Sequence, residues 1–287
     1  MIRIQNLSKR FGNIQALDGV TLTFPPGITA LIGANGAGKT TLIKIACGVL
    51  LPDGGEVLYD GRSLHQARRR LVRSIGVVFE NAENVYGYLP VWANLRFFAT
   101  LWDLPAPWSA DARTLLQRLG LWDRRRSPVN DLSRGNKQKV AIVMALMKRP
   151  RYLFLDEPTL GLDVMASAEV EALLQTWVRE QGCTAVLTTH RMDLAWRLAD
   201  RFVFLKGGRG VWEGAREDLR KLPLWRRTYR VMSRRDHRVH QHTLDASTLS
   251  ETLTRLTRAG HTILEVRLEE TRLDDVVRAL LREEETS

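Results

Sequence analysis

The stretch Gly33-Ala34-Asn35-Gly36-Ala37-Gly38-Lys39-Thr40 fits the pattern G-x-x-x-x-G-K-[ST] at every fixed position. Glycines in such a loop let the backbone curl so that its N–H groups surround an anion. Lys39 adds a point charge for terminal phosphates, and the hydroxyl of Thr40 suits Mg²⁺. Thr41 follows at the same helix start and is counted with Gly33, Asn35, Gly36, Ala37, Gly38, Lys39 and Thr40 as phosphate-binding. An apolar strand pattern (Ile28–Ile32) precedes the loop and a helical one (Lys39–Gly48) follows it. The helix dipole therefore faces the bound phosphates. The loop by itself implies binding of a nucleoside triphosphate and says nothing of the work done with it.

Further short apolar runs alternate with helical patterns, which signals an α/β protein with a substantially parallel sheet. Strands are expected near Val20–Phe24, Ile75–Phe79, Tyr152–Asp156, Ala185–Thr189 and Phe202–Leu205, and helices over Val164–Glu180 and Arg191–Ala199. Between about residues 90 and 150 helical patterns dominate (Val91–Leu101, Ala110–Leu119, Ser133–Met147), which reads as an inserted helical subdomain. Gly207-Gly208-Arg209-Gly210 reads as a hairpin turn.

From residue 222 to 287 the pattern becomes β-β-α-β-α, an accessory α+β domain beyond a main domain of residues 1–218; a tail packed on the main body is the alternative. Strands are expected over Trp225–Met232, Arg238–Leu244 and His261–Leu268. Thr248 and Glu251 have capping-box spacing for a helix that ends at Gly260. Leu273, Val276, Val277, Leu280 and Leu281 form the stripe of a last amphipathic helix.

Composition bounds the partners. The chain has 287 residues, 44% hydrophobic and 26% charged, with 43 Lys and Arg against 32 Asp and Glu, a formal charge of +11. That charge favours anionic partners without choosing among them. The longest apolar run, Val140–Met147, is far short of the roughly 20 residues that cross a bilayer. Two cysteines, Cys47 and Cys183, lack ligand spacing and read as buried thiols. Arg68-Arg69-Arg70 and Arg73 form a run with no acid between Arg62 and Phe79, and a second basic stretch spans Lys206–Arg238. A solvated face and contact with anionic lipid headgroups are the two readings of these stretches. No groove-reading or base-stacking motif points to specific nucleic acid.

Chemistry is added by Tyr152-Leu153-Phe154-Leu155-Asp156-Glu157, an apolar strand that ends in two carboxylates. Beside a phosphate loop, such a strand delivers Asp156 to Mg²⁺. Glu157 is then placed to deprotonate an attacking water. Together with Leu132-Ser133-Arg134-Gly135-Asn136, these motifs make the sequence resemble the ATP-binding subunits of ABC (ATP-binding cassette) transporters, over roughly residues 1–215. The pentapeptide is similar to that family's signature, with Arg134 where a second Gly is usual and Asn136 where Gln is usual.

The resemblance implies a P-loop NTPase cassette: a RecA-like core with an inserted helical subdomain, followed here by the accessory domain. It implies that Ser133 and Gly135 serve the γ-phosphate of ATP held by a second cassette, the same chain or a paralogue. Gly161-Leu162-Asp163 is similar to the loop that crosses that dimer interface, and Thr188-Thr189-His190 to the one that places His190 near the γ-phosphate. Phe11 matches an adenine-stacking aromatic, with an ordinary core Phe as the alternative. Glu80 stands where the family has a Mg²⁺-touching glutamine. It remains an oxygen ligand, so Thr40, Glu80 and Asp156 are the expected metal ligands. The substitution is either tolerated or the mark of a slowed site. Catalysis is expected from Lys39, Glu157 and His190.

The resulting expectation is an ATPase with ATP and Mg²⁺, working with integral membrane permease subunits at the cytoplasmic face of the membrane, and an exporter by resemblance of its C-terminal region. A soluble ABC ATPase acting on ribosome or DNA is the competing reading. Ribosomal members usually carry two cassettes in one chain, and DNA-repair members a long coiled coil that the stretch from Thr40 to Leu132 is too short to hold.

Overall fold

The structure, a computed structural model, describes residues 1–80 and 85–282, with the side chains of Arg69, Arg70 and Arg282 outside that description. The chain divides into two compact units, Met1–Arg216 and Glu217–Ser287.

The first unit opens with β1 (Ile2–Phe11), β2 (Ile14–Phe24) and β3 (Gly27–Ile32), then α1 (Lys39–Ala46). Next come β4 (Gly54–Tyr59), β5 (Arg62–Ser63), α2 (Leu64–Arg73) and β6 (Ile75–Val78). Helices α3 (Val91–Leu101), α4 (Trp108–Arg118) and α5 (Arg134–Leu146) follow. Then β7 (Tyr152–Asp156), α6 (Val164–Gln181), β8 (Thr184–Thr188), α7 (Met192–Leu198), β9 (Arg201–Lys206) and β10 (Arg209–Ala215) complete the unit, and a helical turn, α8 (Arg216–Leu219), follows.

Two sheets result. One is antiparallel, in the order β2-β1-β4-β5; the other has the order β10-β9-β3-β8-β7-β6, with β9, β3, β8, β7 and β6 parallel. The run Val20–Phe24, expected as a strand, closes β2 and pairs antiparallel with β1, Leu22 opposite Ile4, so it lies outside the parallel sheet. The alternating burial of β2 gives the reason: it covers a core on one face only, as antiparallel strands do, whereas β7 and β8 are buried at every residue. Both sheets and α1 share one core. Ile4, Leu22 and Tyr59 come from the antiparallel sheet, Leu42 and Ile43 from α1, and Phe154 and Val186 from the parallel strands.

The apolar run Val140–Met147 lies in and just after α5 and is almost wholly buried. It is a core helix, and among the described residues no helix is long and apolar enough to cross a membrane. Both cysteines are buried and free. The glycine hairpin is tighter than expected: Gly207 and Gly208 alone make the turn, both with positive φ, and Arg209 and Gly210 already belong to β10. Two left-handed residues match the twist of the flanking strands.

The second unit holds β11 (Arg227–Arg235), β12 (Arg238–Asp245), α9 (Ala246–Arg258), β13 (Thr262–Glu270) and α10 (Leu273–Arg282), its strands antiparallel in the order β12-β11-β13. The expected capping box does not form. Helix α9 starts earlier, with Asp245 at the N-cap, so Thr248 lies within the first turn and its hydroxyl donates back to the Asp245 carbonyl at 3.1 Å.

Candidate active site

The phosphate loop leaves the end of β3 and turns into α1 at Gly38, whose φ of 100° is open only to glycine. A Cβ there would also lie 2.4 Å from the carbonyl oxygen of Ala16, and one at Gly33 2.4 Å from that of Leu205. The loop is thus pressed against β2 on one side and β9 on the other. Gly208 fixes it further by donating its N–H to the Ala37 carbonyl at 3.1 Å. Lys39 folds back over the loop, its Nζ donating to Gly33 O at 2.7 Å and Ala34 O at 3.0 Å. Burial holds its ammonium pKa below the ordinary lysine value, while the Glu157 and Asp156 carboxylates pull it back up.

The carboxylates arrive on β7. Parallel pairing sets Asp156 beside Thr188, whose hydroxyl donates to Asp156 Oδ1. Glu157 follows with φ 48°, a left-handed conformation that is strained for a non-glycine residue. Its N–H donates to Thr188 O at 3.1 Å, which anchors the turn. The Glu157 carboxylate accepts from the Thr189 hydroxyl at 3.1 Å through Oε2, and its Oε1 lies 3.6 Å from His190 Nε2. Burial raises the Glu157 pKa above the usual carboxylate value; His190, the Thr189 hydroxyl and a backbone N–H oppose the rise. Thr189 is a site residue that the motif reading did not single out. Its signal was available: a hydroxyl at the end of the strand adjacent to the one that ends in the acids.

One cleft of about 270 Å³ gathers Asn35, Gly36, Gly38, Lys39, Thr40 and Thr41 with Glu80, Asp156, Glu157 and His190. Gly33 and Ala37 shape the loop behind it. Phe11 is outside the core, 47% exposed at the end of β1 and paired with Ile14, which lines the cleft. Ser133, Gly135 and Asp163 lie elsewhere, around a second junction. Ser133 caps α5, accepting from the Asn136 N–H at 3.3 Å, and Asp163 caps α6, accepting from Ala166 N–H at 2.8 Å. A Cβ at Gly135 would lie 2.9 Å from Gly161 O, so these two helix starts are packed face to face. Buried Gln138 on α5 donates to Phe79 O at 3.4 Å, just before Glu80.

Three carboxylates against one lysine give the cleft a charge balance that a divalent cation would offset when a polyphosphate enters. The oxygens of Thr40, Asp156 and Glu80 are the hard donors that magnesium takes when phosphates and water complete its shell. The donor set therefore fits the ion.

With this geometry in place, the comparisons decide the family. The profile described as ABC transporter matches residues 17–160. The energy-coupling factor transporter ATP-binding protein EcfA2 of Clostridium perfringens is 31% identical over 220 residues, 75% of this chain and 77% of that protein. The chain belongs to the ABC transporter ATP-binding proteins. The methionine import ATP-binding protein MetN of Mesorhizobium japonicum is 37% identical over 75% of this ABC protein, which spans 60% of MetN. A solved cassette, described as a dimeric post-hydrolysis state bound to ADP and Pi, superposes with a TM-score of 0.68 at 27% identity, covering 75% of this chain and 98% of that one. Another, cbiO1 of Clostridium perfringens, described as part of the ABC transporter complex cbiONQ, gives 0.66 at 30% identity over 77% and 93%. This ABC protein is therefore an ATPase with the P-loop cassette fold. The expectation of export finds no support among these relatives, one of which is named for import.

Proposed function

We propose that this ATPase hydrolyses Mg-ATP in the cleft of Lys39, Thr40, Asp156, Glu157 and His190, and that closure of two cassettes around ATP drives transport through separate membrane permease subunits. The observation that carries the assignment of roles is the convergence of loop, strand end and His190 on one cleft.

The loop N–H groups and Lys39 take the β- and γ-phosphates, with α1 pointing its positive end at them. Magnesium, held by Thr40 and Asp156 with Glu80 as a further oxygen, offsets phosphate charge when bound. Glu157, oriented by Thr189, accepts a proton from a water whose oxygen attacks the γ-phosphorus. The bond from that phosphorus to the bridging oxygen breaks, and ADP and phosphate leave. His190, beside Glu157, positions the γ-phosphate. Phe11, exposed near the cleft mouth, is available for the adenine. Ser133, Gly135 and Asp163, grouped away from the cleft, serve the ATP of the second cassette, a role supported by the dimeric form of the solved relative.

ATP binding with its γ-phosphate favours the closed pair and hydrolysis reopens it, a population shift driven by differential affinity. A peripheral position at the cytoplasmic membrane face follows from permease partners, and the basic stretch Lys206–Arg238, with 11 Lys and Arg against 4 Asp and Glu, supports contact with anionic headgroups. Export rests on the resemblance of the C-terminal region alone.

The test is affinity capture of the Glu157→Gln chain with Mg-ATP from detergent-solubilised cells. Recovery of a polytopic membrane protein supports transport; recovery of ribosomes or DNA-bound proteins with no membrane partner rejects it.

A further inference from the structure

A second cleft of about 630 Å³ opens at the start of β6 and β7, the opposite end of those strands from Glu80 and Asp156. Parallel strands of this length separate the two clefts by about 13 Å along β7. Five cations line it: Arg62, Arg73, Lys148, Arg149 and Arg151. Its one carboxylate, Asp60, is already engaged by Tyr152 Oη at 2.6 Å, by Arg151 at 2.6 Å and by the Met1 amine at 2.7 Å. Arg149 is held by both oxygens of Asp111, at 2.7 and 2.9 Å. Arg62 and Arg73 make no ion pair among the described residues.

Two features show that this concentration of charge is built into the fold. Arg149 holds a φ of 49°, a left-handed conformation uncommon for a long side chain, at the turn from α5 into β7. Lys148 beside it is largely buried, its Nζ 2.7 Å from Ile75 O and 4.3 Å from the centre of the Trp102 ring. Burial draws the Lys148 pKa down to about 8, a cost that a bound anion would offset. The cleft has the size of small-molecule sites, and arginine forks match phosphate oxygens in pairs.

We propose that this basic cleft is an anion site for a phosphate-bearing group, with Arg62 and Arg73 as its available donors. The group is either a soluble phosphorylated molecule or a phospholipid headgroup, which share the recognised chemistry. The cleft is separate from the phosphate loop, so the proposal stands or falls independently of the ATP site.

The test uses the full chain carrying Lys39→Ala, which weakens phosphate binding at the loop. Inorganic pyrophosphate is titrated calorimetrically into it and into the same chain with Arg62→Ala and Arg73→Ala added. In parallel, both are floated with vesicles of phosphatidylcholine alone or with phosphatidic acid. Pyrophosphate affinity at least tenfold weaker in the arginine variant supports the site and a soluble ligand. Selective binding to phosphatidic acid, lost in the variant while pyrophosphate fails to bind, supports the site and a headgroup ligand. Equal behaviour of the two chains with both probes, or no binding of either probe to the parent, overturns the proposal. Circular dichroism of both chains checks that the exposed substitutions leave the fold intact.

Discussion

The hydroxyl of Thr189 donates to Oε2 of Glu157 at 3.1 Å and accepts the Arg191 N–H at 3.1 Å. One threonine thereby ties the carboxylate to the start of the segment that leads into α7. In Thr189→Val the carboxylate loses a bond that favours its ionised form. The acid limb of the pH–rate profile should move to higher pH, and turnover at neutral pH should fall about tenfold, the worth of one hydrogen bond to a charged group. Thr189→Ser should restore both. An unmoved acid limb in Thr189→Val would show that the threonine only supports the backbone.

Replacing Glu157 itself by Gln should leave ATP binding intact and reduce phosphate release by at least about 100-fold, the usual contribution of a general base. Normal turnover would remove Glu157 from that role.

The same variant bears on stability. Burial raises the Glu157 pKa in the folded chain, so this carboxyl stabilises the fold at pH values below its unfolded value, and that contribution is lost as pH rises through the folded value. At neutral pH the ionised group is a cost. Glu157→Gln should therefore melt higher than the parent at pH 7, with the gap closing as pH falls toward the ordinary carboxylate range. A melting curve at several pH values, without nucleotide, checks the sign.

Gly36 and Gly38 both have positive φ, at 81° and 100°, but only at Gly38 does a Cβ meet backbone. Gly36→Ala should cost about 1–2 kcal/mol, the left-handed penalty alone. Gly38→Ala should cost more and abolish ATP binding, because the loop must leave Ala16. Denaturant unfolding with nucleotide titration separates the two; equal losses would show that contact with β2 is unimportant.

Glu80 shares the cleft with Asp156 and Glu157. Removing its charge in Glu80→Gln should tighten Mg-ATP binding and raise turnover if like-charge repulsion slows the parent site. Unchanged affinity and unchanged turnover would show that Glu80 is simply tolerated.

What the sequence disclosed tracks how local each feature is. The phosphate loop is contiguous, so its residues were readable together with the helix they open. The two acids stood out because β7 is apolar throughout. Strand β1 was not read because register shifts between Ile4, Leu7, Lys9 and Arg10 break its alternation. Helix α2 showed only as a basic run, since its few apolar residues are interrupted by a non-helical Ala67. Thr189 stood in the motif Thr188-Thr189-His190 without a role of its own, because a threonine at a strand end looks like an ordinary strand former. The basic cleft was invisible for a topological reason: Arg73 and Lys148 lie 75 positions apart, and only the pairing of β6 with β7 brings their neighbourhoods together.

Arg134 lays its side chain across Gly161, with Cδ 3.0 Å and Cγ 3.1 Å from where a Cβ on that glycine would stand. The arginine that replaces the usual signature glycine thus occupies the space a side chain at 161 would need. Position 161 is closed to a side chain twice over, by its own left-handed backbone and by the arginine lying across it, so trimming Arg134 alone would not open it.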